Sequence, residues 1–574
     1  MAFDGIVTKT IISELNEKIL DGKINKIFQP SKNEIILGIY INGKNYALNI
    51  CIDSANCRLN LTTTAKSNPL VAPNFCMLLR KHLIGYRIKS ISNYDLERVI
   101  TIGFEGFNEL NDLTQKKLLI ELMGRHSNII LLNNHNYIID SLRHLDTYSH
   151  SNRDILPAHE YTFPETNKIS FISLTTFSDF YNYIYNDISK YKIDKILSNK
   201  FIGISMSFVQ HVLSTLSIEN TTNFDIDDLQ KVYDYIKNII ENIGSNKLSC
   251  IEINSPKKDF VIDLLTKDDC LQVNFFIDDF YSNKEVNENF ISYRNNILKL
   301  ILSYLNKYTT RLANIDSKLA ECENRNMYKL YGELITANLY KIPKENLSEI
   351  TLENYYDNNS LITIPLDKTI TVPNNAKKYF KKYNKLKNAL EIVQKQKIAT
   401  KYELEYIESI IYELENCKNI NEVDDIYTEI SESILFKEAL NKKKEKKNRY
   451  AKNKASNSTP LEYTINDFTI LVGKNNKQND YLTTKIATNN DIWFHTKDIH
   501  GSHVILKVDG KDISEDTLIK CAQIAAYHSK AKFSSKVPVD YCYVKYVKKP
   551  SGSKPGMVIY TNNKTLYVDP IIPK

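Results

Sequence analysis

No two of the nine cysteines in this 574-residue chain stand in a CxxC spacing, so neither a zinc ribbon nor a dithiol redox site can be read from them. Their scatter and odd number give no disulfide framework and fit reduced, mostly buried thiols in a cytosolic protein. The chain has no GxxxxGK[ST], which removes P-loop nucleotide hydrolysis, and no GxSxG or other nucleophile with a base at a recognisable spacing. No apolar run is long enough to span a bilayer. The opening stretch, MAFDGIVTKTIISELNEKILDGK, carries charges every few residues where a secretory signal needs an apolar core. The expectation is a cytoplasmic protein that is not an enzyme, with no cofactor and no membrane partner. Tryptophan occurs once, at Trp493.

What is present is a globular composition, 42% hydrophobic and 25% charged, with its charge unevenly spread. From Asn441 onward there are 24 Lys and Arg against 12 Asp and Glu, a charge of +12, which leaves −5 of the total of +7 for the first 440 residues. A basic C-terminal module for a polyanion follows from that asymmetry.

The expected fold class is α+β and multidomain. Residues 1–174 mix short strand-like runs (KINKIFQP, NEIILGIYING, KNYALNICI, RVITIGFEG, KKLLIELMG, SNIILLN) with one helical stretch, NFCMLLRKHLIG, and predict an α+β domain with a largely antiparallel sheet. Helical patterns dominate residues 175–290. Within 291–435, Leu298, Ile301, Leu305, Tyr308, Leu312, Ile315, Leu319 and Cys322 alternate spacings of three and four. Tyr379, Tyr383, Leu386, Leu390 and Val393 do the same, resuming at Leu404, Ile407, Ile411 and Leu414. Two such seams around an interruption rich in Asn and Pro predict an antiparallel coiled-coil hairpin with a small tip, each arm reaching about 60 Å. Residues 436–460 form a basic linker, in which eight of the thirteen positions from Lys442 to Lys454 are Lys or Arg. A second α+β unit occupies 461–574.

The stretch DIWFHTKDIHGSHVIL gathers Trp493, His495, Lys497, His500 and His503. The histidine spacings of five and three, broken by a turn, are poor for a metal, and no cysteine or carboxylate completes a ligand set. RNA contact is the better expectation. Further on, DYCYVKYVKKPSGSKPG interleaves tyrosines with lysines beside a Gly/Pro loop bearing Lys548, Lys549 and Lys554, and VGKNNKQND adds Lys474 and Lys477. Lysines suit phosphates and aromatic faces suit bases.

DIWFHTKDIHGSHVIL, VGKNNKQNDYLTTKIA and KKPSGSKPGMVIYTNNKTLYV resemble the C-terminal RNA-binding domain of the NFACT proteins. MAFDGIVTKTIISELNEKI, FCMLLRKHLIG, ELMGRHSNIILL and PNNAKKYFKKYNKLK resemble the N-terminal and coiled-coil parts of bacterial members of that family. The resemblance is collinear over nearly the whole chain. It implies an N-terminal domain like that of formamidopyrimidine-DNA glycosylases, a helix-hairpin-helix domain, a coiled-coil hairpin and an RNA-binding domain. It also implies a ribosome-associated factor that binds large subunits, through their rRNA, when they are obstructed by peptidyl-tRNA. Such a factor recruits alanine tRNA and promotes template-free alanine tailing, with the small S4-like protein RqcP as a further partner.

The tRNA-recruiting residues of the family map by motif onto Asp4 in MAFDG and onto Glu97 and Arg98 in DLERVI, with Arg80, Lys81, Arg125 and His126 as further tRNA candidates. Without the resemblance, Asp4 reads as a helix N-terminal charge, Arg80 and Lys81 as a solvated helix face, and Arg125 with His126 as a strand-end turn. Glu97 replaces the family's usual Asp. His500 replaces a Pro, which is expected to loosen that turn, and Met206 replaces the Pro of a Ser-Pro signature. DNA glycosylase chemistry is excluded, because Ala2 and Phe3 stand where those enzymes carry a proline nucleophile and a glutamate. A fibronectin-binding surface adhesin is the competing reading, and it lacks an export signal in this sequence.

Overall fold

Asp4 starts the first helix, α1 (Gly5–Ile19), as its N-cap: the carboxylate accepts from the backbone N–H of Ile6 and Val7, both at 3.1 Å. The computed structural model describes residues 3–108, 111–145, 153–222, 224–245, 247–253, 259–265, 272–343, 347–437 and 459–572. They divide into two compact units, Met1–Val286 and Asn287–Lys574.

In the first unit, β1 (Lys23–Ser31), β2 (Glu34–Ile41), β3 (Lys44–Cys51) and β4 (Arg58–Leu61) precede helix α2 (Asn74–Leu83). The strands β5 (Arg87–Asn93), β6 (Val99–Phe107), β7 (Leu113–Glu121), β8 (Asn128–Asn133) and β9 (Ile138–Ser141) follow it. They form one nine-stranded sheet, ordered β4-β3-β2-β1-β5-β6-β7-β8-β9, with every neighbouring pair antiparallel. The turn from β2 to β3 is Asn42-Gly43 with φ of +49° and +77°, the left-handed pair that a tight hairpin requires. The antiparallel sheet and the α2 segment agree with the sequence reading, which did not separate α1, β4, β5 or β9.

Beyond the sheet lie α3 (Phe177–Ile188), α4 (Ile193–Lys200), α5 (Met206–Thr215) and α6 (Ile226–Glu241), packed around Phe171, Phe180, Phe201 and Tyr233. A two-stranded hairpin follows, β10 (Leu248–Ile253) with β11 (Asp259–Leu264), in a region read as helical. Both strands are only six residues long, too short for their alternation to stand out beside four helices. Met206, in place of proline, is the first residue of α5 and is 41% exposed. Proline at that position supplies only a preset φ, and the Ser205 cap holds the helix end without it.

Helix α7 (Val273–Glu323) begins in the first unit, where Glu285 joins a largely buried set of ion pairs with Arg58 at 2.5 Å and Lys66 at 2.7 Å. The second unit contains the rest of α7, then α8 (Arg325–Ala337), the hairpin β12 (Glu349–Asn354) with β13 (Ser360–Pro365), α9 (Val372–Asn416) and α10 (Ile420–Glu432). Ile297 and Ile301 pack with Tyr406 to Leu414, and Ile315 and Cys322 pack with Val393 and Leu386, so α7 and α9 run antiparallel. Every expected seam residue of both helices is at least partly buried. The gap in the α9 pattern is not a break. Lys397, bonded to Asp316 of α7 at 2.7 Å, and buried Thr400 occupy the missing seam positions. The tip is a small core of its own around Leu334, Ile335, Leu352 and Ile364.

The chain then forms β14 (Leu461–Ile465), β15 (Phe468–Val472), α11 (Asn476–Tyr481), β16 (Ile492–Thr496), β17 (Val504–Leu506), α12 (Glu515–Tyr527), β18 (Val537–Tyr543), β19 (Val547–Lys548), β20 (Ile559–Tyr560) and β21 (Lys564–Val568). Six of these strands make an antiparallel sheet ordered β14-β15-β17-β16-β18-β21, and α12 packs on it through Cys521, Ala522, Ile524 and Ala525. The expected basic linker lies almost wholly outside the described residues. Among the described residues no helix is long and apolar enough to cross a membrane, and no group of three His, Cys, Asp or Glu is placed to hold a metal.

Candidate nucleic-acid interface

The three residues matched to tRNA recruitment come together in the first unit because of two glycines. The N–H of Gly5 donates to the carbonyl of Gly203 at 2.9 Å. The Leu96 carbonyl lies against both, 2.0 Å from where a Cβ on Gly5 would stand and 2.2 Å from one on Gly203, which has φ +73°. The segment that follows Leu96 carries Glu97 and Arg98. It is held by Asn93, whose side-chain amide donates to the Glu97 carbonyl at 2.8 Å, and by the Leu122 N–H, which donates to the Arg98 carbonyl at 2.9 Å.

Asp4 has both carboxylate oxygens engaged. One caps α1, and the other accepts from the Ser205 hydroxyl at 2.7 Å, while Ser205 caps α5 by accepting from the Phe208 N–H at 3.2 Å. Burial raises the Asp4 carboxyl pKa, opposed by the Ser205 and Val7 hydrogen bonds and by the charge of Arg98. The reading of Asp4 as a helix N-terminal charge therefore describes its contacts. The Arg98 guanidinium also lowers Lys168, after burial, which is the larger cause.

Arg125 and His126 are exposed on a short 3-10 turn, Gly124–His126, between β7 and β8, and the Arg125 Nε donates to His126 Nε2 at 2.9 Å. The Cys57 thiol, raised by burial, is lowered by both the Gly124 backbone and Arg98, which puts this turn beside the same junction. Arg80 is elsewhere. Its Nε donates to the Ile27 carbonyl of β1 at 2.8 Å and its guanidinium lies over the Phe28 ring, while Lys81 is exposed on α2. Lys168 and Ser205 belong to the junction and were not picked from sequence. Ser205 stands in the Ser-Pro signature weakened by Met206, which marks a helix start and not a contact with Asp4, and nothing in the local sequence marks Lys168.

The second unit revises the C-terminal expectations. Trp493 is 1% exposed and His503 2%, so neither ring is open to stack on a base. Half-buried His495 lies parallel to Trp493 at 5.6 Å, and His503 meets both rings edge-on. Burial lowers His495 to about 4 and His503 to about 3, so both are neutral near pH 7 and offer a phosphate no charge. Four of the lysines are engaged within the unit: Lys474 with Glu422 at 3.5 Å, Lys477 with Glu432 at 2.7 Å, Lys554 with Glu403 at 3.2 Å, and Lys549 with Asp480. Lys497 and Lys548 remain exposed. So do Tyr543 and Lys545, whose ammonium lies 5.2 Å from the Tyr543 ring. His500 does not loosen its turn, because its Nε2 pairs with Glu408 of α9 at 3.1 Å.

Two buried carboxylates lie where α9, α10 and α11 meet. Glu429 accepts from the Tyr406 hydroxyl at 3.0 Å and the Asn476 amide at 3.2 Å, and burial still pushes its pKa up to about 7; Glu413 is raised by burial and by the charge of Glu429. Between its ordinary value of 4.5 and about 7 the folded chain keeps a proton on Glu429 that the unfolded chain has lost. The Glu429 contribution to the stability of the second unit should fall as pH rises through that window and level off above it. Glu429→Gln should flatten this dependence and gain about 2–3 kcal/mol at pH 8. Urea unfolding followed by Trp493 emission measures both, and an unchanged slope in the variant would assign the proton elsewhere.

A two-unit α+β chain with a long antiparallel helix pair and a C-terminal sheet domain matches known families along most of its length. Residues 4–449 match the profile described as NFACT N-terminal and middle domains, and residues 461–561 match the NFACT protein RNA binding domain. The chain belongs to the NFACT family. It is 36% identical over 579 residues to the Rqc2 homolog RqcH of Bacillus subtilis (strain 168), covering 99% of this chain and 98% of that protein. It is 32% identical to the Rqc2 homolog RqcH of Streptococcus suis (strain 05ZYH33), again over 99% and 98%. Among solved structures it is similar to the fibrinogen binding protein from Staphylococcus aureus, with 27% identity, 49% of this chain and 99% of that one covered, and a TM-score of 0.42. The C-terminal part of the fibronectin/fibrinogen-binding protein from Streptococcus suis gives 32% identity, coverage of 49% and 96%, and a TM-score of 0.37.

Proposed function

We propose that this chain works in ribosome-associated quality control. It binds large ribosomal subunits obstructed by peptidyl-tRNA, recruits alanyl-tRNA, and promotes template-independent addition of alanine to the stalled chain. The bond-forming step belongs to ribosomal RNA, so the protein's task is to bind and position. In this reading residues 1–174 are a glycosylase-like tRNA-binding domain, 175–290 a helix-hairpin-helix spacer, and 291–435 a coiled-coil hairpin that reaches the subunit. Residues 436–460 are a basic linker and 461–574 the RNA-binding domain, with the S4-like protein RqcP as a further partner.

The observation that carries the proposal is the junction at which Gly5 and Gly203 clamp Leu96 and so bring Asp4, Glu97 and Arg98 to one place. A cationic guanidinium on a rigid backbone beside exposed Arg125 and His126 suits a phosphate or an unstacked base. Ultraviolet crosslinking in cells followed by sequencing of the bound RNA tests it. Enrichment of alanine tRNA and large-subunit rRNA is expected. Recovery of neither, with the protein sedimenting on the cell envelope instead of with large subunits, would favour the fibronectin-binding reading.

A further inference from the structure

The stretch that drew attention for RNA, Asp491 to Leu506, forms one wall of a cleft of about 540 Å³ whose other wall is the C-terminal part of α9. Its charge is the reverse of what a phosphate needs. Glu405, Glu408, Glu413 and Asp498 line it; the lining's lysine, Lys474, is paired with Glu422, and His500 is paired with Glu408. Tyr402, Tyr412 and Tyr560 supply aromatic surface.

Two groups, one on each wall, lack the partners that burial demands. The Glu413 Oε2, on a residue 7% exposed, has no hydrogen-bond donor among the described residues, and the Trp493 Nε1, on a residue 1% exposed, has no acceptor. An unmet buried carboxyl oxygen and an unmet indole N–H both cost free energy, and a guest supplying one donor and one acceptor removes both costs. A bare metal ion serves neither, and no ligand set for one is present among the described residues. A phosphodiester would meet the carboxylates of Glu405, Glu408 and Asp498.

We propose that this cleft docks an arginine side chain presented by an extended basic protein segment, its guanidinium donating to Glu413 between the tyrosines and an adjacent peptide carbonyl accepting from Trp493. Guanidinium is planar, carries five donors, stacks on aromatic faces and sheds water more readily than ammonium, so arginine is favoured over lysine. Glu405 and Asp498, both exposed, draw the basic segment to the mouth. The site lies in the second unit and does not depend on the tRNA junction, so each reading can fail alone.

Trp493 is the chain's one tryptophan, and its emission reports this cleft directly. The full chain is titrated with the peptide acetyl-Ala-Arg-Gly-Arg-Ala-amide, with its lysine counterpart, and with an oligouridylate 12-mer. A saturable emission change is expected with the arginine peptide, at least about fivefold weaker with the lysine peptide, and weakened at least about tenfold by Glu413→Gln. Glu405→Gln, at an exposed position that leaves the core intact, should weaken it about threefold and guards against a folding effect of the first variant. No saturable change with the arginine peptide, or wild-type affinity in both variants, overturns the proposal. An emission change with oligouridylate that the peptide does not displace overturns it too, by making RNA the occupant.

Discussion

Gly5→Ala is expected to deprive the first unit of its native fold. Helix propensity argues the other way, because alanine inside a helix is better than glycine by about 1 kcal/mol. The contact decides. An added Cβ would stand 2.0 Å from the Leu96 carbonyl oxygen, 2.4 Å from Gly203 Cα and 3.0 Å from the Gly203 oxygen, all of them backbone atoms that cannot rotate aside. Overpacking that side chains can absorb costs about 1–3 kcal/mol. Here α1 would have to leave the Gly5–Gly203 hydrogen bond, and the Asp4 cap and its Ser205 bond would go with it, so a loss above about 4 kcal/mol is expected. Gly203→Ala should behave alike, since it adds a left-handed φ of +73° to a 2.2 Å approach. Circular dichroism melting and the yield of soluble protein measure the effect. A Gly5→Ala chain that melts with wild type would mean that the three segments are not locked together in this way.

That junction also shows what the sequence could and could not disclose. Asp4, Glu97 and Arg98 were legible only through family resemblance, because a helix cap and a turn arginine are common features with ordinary local explanations. Gly203 and Ser205 carry the junction from two hundred residues away in the chain, and no local pattern shows that they meet Gly5 and Asp4. The helix pair was legible because its signal is repeated: seventeen seam positions agree on period, and both Lys397 and Thr400 can depart from it without ending the helix. The C-terminal domain was legible as strands and one helix, since hydrophobic alternation survives there.

The charges of the C-terminal domain were misleading for a physical reason. A lysine-rich loop looks free in a sequence, yet Lys474, Lys477 and Lys554 each meet a glutamate of α9 or α10, elements that the heptad reading treated only as a rod. These are partly exposed pairs, worth little as stability, and the charge of +12 from Asn441 onward, +7 of it in residues 441–460, still acts as a field at longer range.

Arg98→Ala should separate tRNA recruitment from subunit binding. The guanidinium sits on a backbone segment fixed by Leu96 behind it and by Leu122 on the next strand, so truncation removes the cation without releasing the chain. Losing a paired or stacked guanidinium contact to a base costs about 1–3 kcal/mol, which reduces tRNA occupancy roughly five- to 150-fold. Alanine tails should be mostly lost, while co-sedimentation with large subunits persists because that surface is proposed to lie in the helix pair and the C-terminal domain. Asp4→Asn is the companion variant. Asparagine caps a helix as well as aspartate and its amide can donate to the Ser205 hydroxyl, so α1 should melt within a few degrees of wild type. Its missing charge should change tRNA binding by less than Arg98→Ala does. Tails of normal length from Arg98→Ala would remove the residue from tRNA contact, and loss of subunit binding together with tailing would make it part of the docking surface instead.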